Sequence, residues 1–254
     1  VFYKVAQSFS CAHAILTPEN CVSEMTRLIT QAFAQRRPVY IGIPADQAIK
    51  RIVVQNIRPL TLPSSRPDNL KKVISLIVNK LSHSESPCAL LGSLISRFDL
   101  VKEAEAFIKV TQLPYATMFM DKGVLNETYS QYIGMYSGHL MNPTIAEFID
   151  SCDCIINIGA VMSDVNTGFF TADLHANNMI HIMDNYVVID STVYSDVYIY
   201  ELLSELKDIL TFIPSNSIKV HGLGEPTSND NGKITSHYLY PRFEKFIKQN
   251  DIVI

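Results

Sequence analysis

The side chains capable of chemistry are scattered along this chain. His13, His83, His139, His175, His181, His221 and His237 include no pair at metal-helix spacing, and none sits beside a serine or cysteine in a nucleophile elbow. Cys152-x-Cys154 is the one close thiol pair. Its one-residue gap fits neither a zinc knuckle nor a redox motif, and no second pair completes a tetrahedral set. Gly222-x-Gly224 lacks the third glycine and the preceding strand of a dinucleotide fingerprint and reads as a linker turn. Ile158-Gly-Ala-Val-Met-Ser-Asp164 is a stronger candidate. A glycine at a strand's carboxyl end either lets backbone approach a ligand or simply makes a tight exit. Asp164-Val-Asn-Thr-Gly168 then adds polar side chains and a glycine at the same edge, as a lid or as an ordinary loop. Asp121-Lys122-Gly123 reads as a charged turn after a strand, and Met118, Met120, Met135 and Met141 as core gap-fillers.

These residues have to be positioned by an α/β scaffold. A helix is predicted from Thr17, with Thr17 as N-cap and Pro18 at the first helical position, to about Gln35, its apolar face formed by Val22, Met25, Leu28, Ile29, Ala32 and Phe33. Val39–Ile43 follows as a strand expected to be buried on both faces. After a proline- and serine-rich stretch from Gln55 to Pro67, the pattern alternates. Helices are predicted near Asp68–Leu81, Leu100–Thr111, Pro143–Ser151 (capped by Asn142) and Tyr198–Leu210. Strands are predicted at Cys88–Leu91, Tyr115–Phe119, Cys154–Ile158 and Met179–Met183. Such alternation implies a doubly wound parallel sheet of the Rossmann-like kind, with its crevice outside the carboxyl ends of the strands. A second loose stretch spans Pro214–Ser236. A short helix over Tyr240–Lys248 then precedes the start of a strand at Ile252–Ile254. The expected organisation is therefore 1–57 as part of one domain, 58–67 as a linker, 68–213 as a middle domain, 214–236 as a linker and 237–254 as the start of another domain.

Composition narrows the partners. The chain has 254 residues, of which 47% are apolar and 18% charged, so it has ample core material and is neither disordered nor a coiled coil. A net charge of −4 supplies no positive field for nucleic acid. The longest apolar run, near Cys154–Met162, is half of what a membrane span needs. The five cysteines Cys11, Cys21, Cys88, Cys152 and Cys154 are odd in number and lie mostly among apolar residues, as reduced thiols of a cytoplasmic protein do. The chain opens on Val1 and closes at Ile254, and the expectation is that it is a piece of something longer.

Several segments together resemble the thiamine diphosphate-dependent 2-keto acid decarboxylases, the pyruvate and indolepyruvate decarboxylase group. They are Thr17-Pro-Glu-Asn20, Arg36–Ala45, Met120–Glu127, Gly134–Gly138, Asn142-Pro143, Gly159–Gly168 and Tyr240–Ile254. The resemblance runs almost end to end. It implies the end of a pyrimidine-binding domain, a middle domain and the start of a diphosphate-binding domain. It also implies thiamine diphosphate and magnesium as cofactors, a 2-keto acid substrate, and a homodimer or homotetramer. In that family the catalytic glutamate and paired histidines precede the equivalent of Val1, and the Gly-Asp-Gly magnesium motif follows that of Ile254. The resemblance thus gives this chain no catalytic, cofactor-binding or metal-binding residue, and a structural or regulatory role within a fragment inactive by itself. One feature carried over is an active-site-closing loop corresponding to Ser163–Asn178, with Asp164, Asn166, Thr167 and Gly168 as its candidate residues. Leu94-Ile95 stand where the substrate-activated branch carries cysteines, which argues against cysteine-triggered activation. The alternative is the acetolactate synthase and pyruvate oxidase type, whose middle domain holds FAD or a nucleotide. The lack of a glycine-rich phosphate loop after Leu91 weighs against it.

Overall fold

A computed structural model describes residues 2–54, 59–219, 225 and 232–253. Gly222 and Gly224, His221, Asn231, Ile254 and the first residues of the first proline-rich stretch lie outside the described residues. Two compact units are present, Val1–Asn216 and Ser217–Ile254.

The first unit opens with α1 (Phe2–Ala6), β1 (Ala12–Ile15), α2 (Cys21–Gln35), β2 (Val39–Gly42) and α3 (Ala45–Ala48). β1 and β2 pair in parallel, with Ala12 opposite Val39 and Ile15 opposite Gly42. Two expectations are corrected by these elements. α2 starts at Cys21, with Asn20 as its N-cap, because Thr17–Asn20 closes into a turn in which Asn20 Oδ1 accepts from Thr17 N at 2.7 Å. β2 is half-buried along its length, since β1 is its one neighbour.

The rest of the unit follows the α/β alternation. α4 (Pro67–Ser82), β3 (Pro87–Leu91), α5 (Leu94–Arg97), α6 (Val101–Thr111) and β4 (Tyr115–Met118) come first. β5 (Tyr132–Tyr136), α7 (Pro143–Asp150), β6 (Cys154–Ile158), β7 (Met179–Ile182), β8 (Tyr186–Ile189), β9 (Thr192–Ser195) and α8 (Ile199–Ile209) complete it. The seven strands lie in the order β5-β4-β3-β6-β7-β8-β9. β5 to β7 are mutually parallel, whereas β8 and β9 add an antiparallel edge. The parallel expectation therefore holds for five strands, and the chain turns back on itself after β7. β5, β8 and β9 lie outside the predicted strands: β5 is interrupted by Gly134, β9 is mostly exposed, and β8, although apolar throughout as Tyr-Val-Val-Ile, follows β7 after a short turn that helix–strand alternation does not anticipate.

β3 and β6 are buried at every residue because each has strands on both sides and packed layers on both faces. Ala89, Leu91, Ile156 and Ile158 join one cluster with Val73 and Ile77 of α4, Phe107 and Ile108 of α6, and Leu202 and Leu206 of α8. Cys88, Leu90 and Ile155, on the opposite pleat, are equally buried. The end of the first proline-rich stretch is strapped to α8: Ser65 Oγ accepts from Tyr198 N, and Ser65 N donates to Glu201. Among the described residues, no helix is long and apolar enough to cross a membrane.

The second unit contains α9 (Ser236–Phe246), capped by the Thr235 side chain. It starts four residues earlier than expected and ends before Ile247, and Ile252 and Val253 form no strand.

Candidate functional site at the carboxyl edge of the sheet

Strand order reverses between β3 and β6, so the crevice of a doubly wound sheet falls where these two strands end. That place is closed by backbone. Gly92 N donates to Ile158 O at 2.9 Å and Leu94 N to Gly159 O at 3.2 Å. A Cβ on Gly92 would lie 2.0 Å from Ala160 N, so the two strand exits touch and only glycine fits. Asn157, fully buried in β6, holds the turn: its Oδ1 accepts from Ala160 N and its Nδ2 donates to Ala160 O, both at 2.9 Å. The Asn157 amide also lies 3.1 Å from Nδ1 of His181, whose burial lowers its pKa. Gly159 is thus a tight strand exit.

The exits of β3, β4 and β6 are joined by a buried polar relay. Asp121 is 2% exposed, and its Oδ1 accepts from Ser93 N at 2.7 Å. Its Oδ2 accepts from Asn166 Nδ2 at 3.1 Å. Asn166, also 2% exposed, donates to Val161 O and accepts from Met120 N, both at 2.8 Å. Every polar atom of the Asn166 side chain therefore serves the loop's attachment. Burial pushes the Asp121 carboxyl above the ordinary carboxylate range, and hydrogen bonds from Ser93 and Asn166 draw it part of the way back.

The four expected loop residues divide. Asn166, Thr167 and Gly168 are buried. Thr167 Oγ1 donates to Ser163 O at 2.7 Å. Gly168 has φ +61° and sits so close to the neighbouring segment that a Cβ would meet Ser137 O at 2.1 Å. His139 N, on the same segment, donates to Thr171 Oγ1 at 3.0 Å. Asp164 is exposed and accepts from Val165 N. The apolar members that do face out are Phe169 and Phe170, both with positive φ, together with Val161 and Met120. Met120 and Met141 are exposed, so the reading of the methionines as core fillers fails for these two, whereas Met118 is buried.

Sequence reasoning missed Ser93, Asp121 and Asn157 as structural pins. Asn157 carried a signal: an amide inside Cys-Ile-Ile-Asn-Ile must find partners when the strand is buried. Asp121 carried none, because a charged residue before Lys-Gly has the composition of an exposed turn.

Beyond this edge, a cavity of about 620 Å³ lies between Ser64–Pro67 and α8, lined by Leu70, Lys71, Tyr200 and Glu205. Among the described residues, no group of three His, Cys, Asp or Glu side chains could hold a metal. All five cysteines are free, and Cys88, Cys152 and Cys154 are buried.

The family model for the thiamine pyrophosphate enzyme, central domain, matches residues 74–211. Pyruvate decarboxylase isozyme 3 of Saccharomyces cerevisiae is 26% identical over 100% of this chain and 46% of its own length. Pyruvate decarboxylase of Aspergillus terreus is 29% identical with the same coverage. The chain thus spans about half the length of the curated relatives it matches. The crystal structure of benzoylformate decarboxylase from Polynucleobacter necessarius superposes with a TM-score of 0.59 at 17% identity, covering 82% of this chain and 40% of that one. That likeness bears on the fold.

Proposed function

The chain belongs to the thiamine pyrophosphate enzymes, and from that premise we propose that it is the middle portion of a non-oxidative 2-keto acid decarboxylase, converting pyruvate or indolepyruvate to an aldehyde and carbon dioxide. What supports this most is the alignment with pyruvate decarboxylases across the whole chain, which takes in β1, α2 and β2 as well as the central domain. Thiamine diphosphate, with magnesium, supplies the chemistry of carbon dioxide loss in this reading. No residue of this chain is assigned a part in that chemistry.

The chain's own contribution is architectural. The backbone contact between the β3 and β6 exits and the Asp121–Asn166 pair fill the place where other doubly wound domains hold a nucleotide. In this reading the loop's closing role belongs to its exposed members, Asp164, Phe169 and Phe170, and Asn166, Thr167 and Gly168 anchor it. The same reading makes the protein a cytoplasmic homodimer or homotetramer, and the five free thiols fit a reducing compartment.

The test is carbon dioxide release by the full-length protein from pyruvate and from indolepyruvate, with and without thiamine diphosphate and magnesium, alongside its mass in solution. Cofactor-dependent release is expected. A folded protein inert towards both keto acids rejects the proposal.

A further inference from the structure

The Asp121 carboxylate is an uncommon thing to bury. Both its oxygens are met by neutral donors, the Ser93 backbone and the Asn166 amide. The charged side chains on the surrounding segments are engaged or face outward. Lys122 pairs with Glu127, Asp164 is exposed and accepts from Val165 N, Arg97 at the end of α5 is exposed, and beside the loop His139 pairs with Asp150 and His175 with Asp173. No charged neighbour contributes to the Asp121 shift, which comes from burial opposed by hydrogen bonds. Beyond the relay, the loop carries a load: Phe169 at φ +54° and Phe170 at φ +63° are consecutive non-glycine residues in the left-handed region, and they are 68% and 75% exposed. Such residues are strained and persist only where their surroundings hold them.

We propose that Ser93, Asp121 and Asn166 form a proton-sensitive clamp that positions the 161–172 loop on the carboxyl edge of the sheet and tightens as pH falls. The sign follows from linkage. In the clamped state Asp121 is buried and holds its proton more tightly than when the loop lifts and water reaches the carboxyl. Acid therefore favours the clamped state, and raising the pH through the clamped-state titration loosens it. Each unit by which the two states differ in Asp121 pKa changes the clamping equilibrium about tenfold. The clamp stands whether or not the protein decarboxylates a keto acid.

Hydrogen exchange in the intact protein tests it at Thr171 and Ala172, whose amides donate to Thr167 O at 3.1 Å. Their protection factors, corrected for intrinsic exchange, are expected to rise as pH falls from about 7 towards about 4, with little change at Leu90 in the buried strand β3. Asp121→Asn has no charge to bury and should abolish the pH dependence. Asn166→Ala, which cuts the relay from the loop side, should lower the protection and also make it independent of pH. If Asp121→Asn does not fold, the second variant decides. Flat protection in the unmodified protein, or a pH dependence that survives either substitution in a folded variant, overturns the clamp.

Discussion

The two parallel arrangements in the first unit are built from similar strand sequences, yet they differ in what surrounds them. Val-Tyr-Ile-Gly in β2 and Cys-Ile-Ile-Asn-Ile in β6 are both short and mostly apolar. β6 has β3 and β7 as neighbours and is buried throughout, whereas β2 has β1 alone and is half-buried. Burial is thus conferred by neighbours rather than by the apolar character of a strand. The same contrast explains where precise polar chemistry occurs. Asn157, Asp121 and Asn166 are fixed because the central sheet gives them a dry, rigid frame. In the β1–β2 region, the Arg27 guanidinium reaches His13 O from a side chain that is 46% exposed.

Glycine substitutions should break this contrast most sharply. Gly92→Ala forces a methyl to within 2.0 Å of Ala160 N, and it should cost about 3 kcal/mol or more in chemical denaturation, or prevent folding. Gly42→Ala in β2 meets nothing nearer than Ile15 Cγ1 at 3.4 Å. It should be neutral or stabilise by up to about 1 kcal/mol. Equal losses at the two positions would erase the distinction.

Core truncations follow. Leu90→Ala, at a fully buried site, should cost about 2–5 kcal/mol, and Ile41→Ala, at a half-buried one, about 1 kcal/mol. Denaturant midpoints of the two variants give the ratio directly.

A smaller effect separates the regions by pH. Burial lowers the pKa of His181 on β7, so the folded state resists a proton that the unfolded chain accepts. Stability should then fall as pH drops through the unfolded histidine range near about 6.5. Thermal midpoints measured across that range should show the loss in the unmodified protein and a reduced loss in His181→Gln.

The smallest effect concerns the ion pair that spans the two arrangements, Arg37 to Asp184 at 3.6 Å. With the arginine side chain 52% exposed, Arg37→Ala should cost under about 1 kcal/mol, and high salt should remove the difference. A larger, salt-insensitive loss would mean that the pair fixes β2 against the central domain.

How much of this was legible in the sequence depends on which signal a residue leaves. β3, β4, β6 and β7 announce themselves as short, largely apolar segments alternating with helices, and α4, α6, α7 and α8 through apolar spacing, with Asn142 visibly capping α7. The Thr17-Pro18 start misled because Asn20 bonds back to Thr17 and spends those residues on a turn. Two of the four candidate loop residues, Asn166 and Thr167, look polar and therefore exposed in sequence, yet both are buried. Asn166 is held by Asp121 and Met120, more than forty residues away and set by tertiary packing that no local pattern encodes, whereas Thr167 bonds back to Ser163 O four residues earlier in the same loop. Conversely, the exposed Phe169-Phe170 pair has the composition of a core.

The strand-exit crevice between β3 and β6 is occupied by the protein's own backbone and by the Asp121–Asn166 pair, and the proposal that the domain acts as scaffold rather than nucleotide carrier rests on that contact. Calorimetric titration of the intact protein with FAD and with ADP tests it most directly. The account predicts no saturable heat from either, and micromolar binding that Asp121→Asn or Asn166→Ala alters would contradict it.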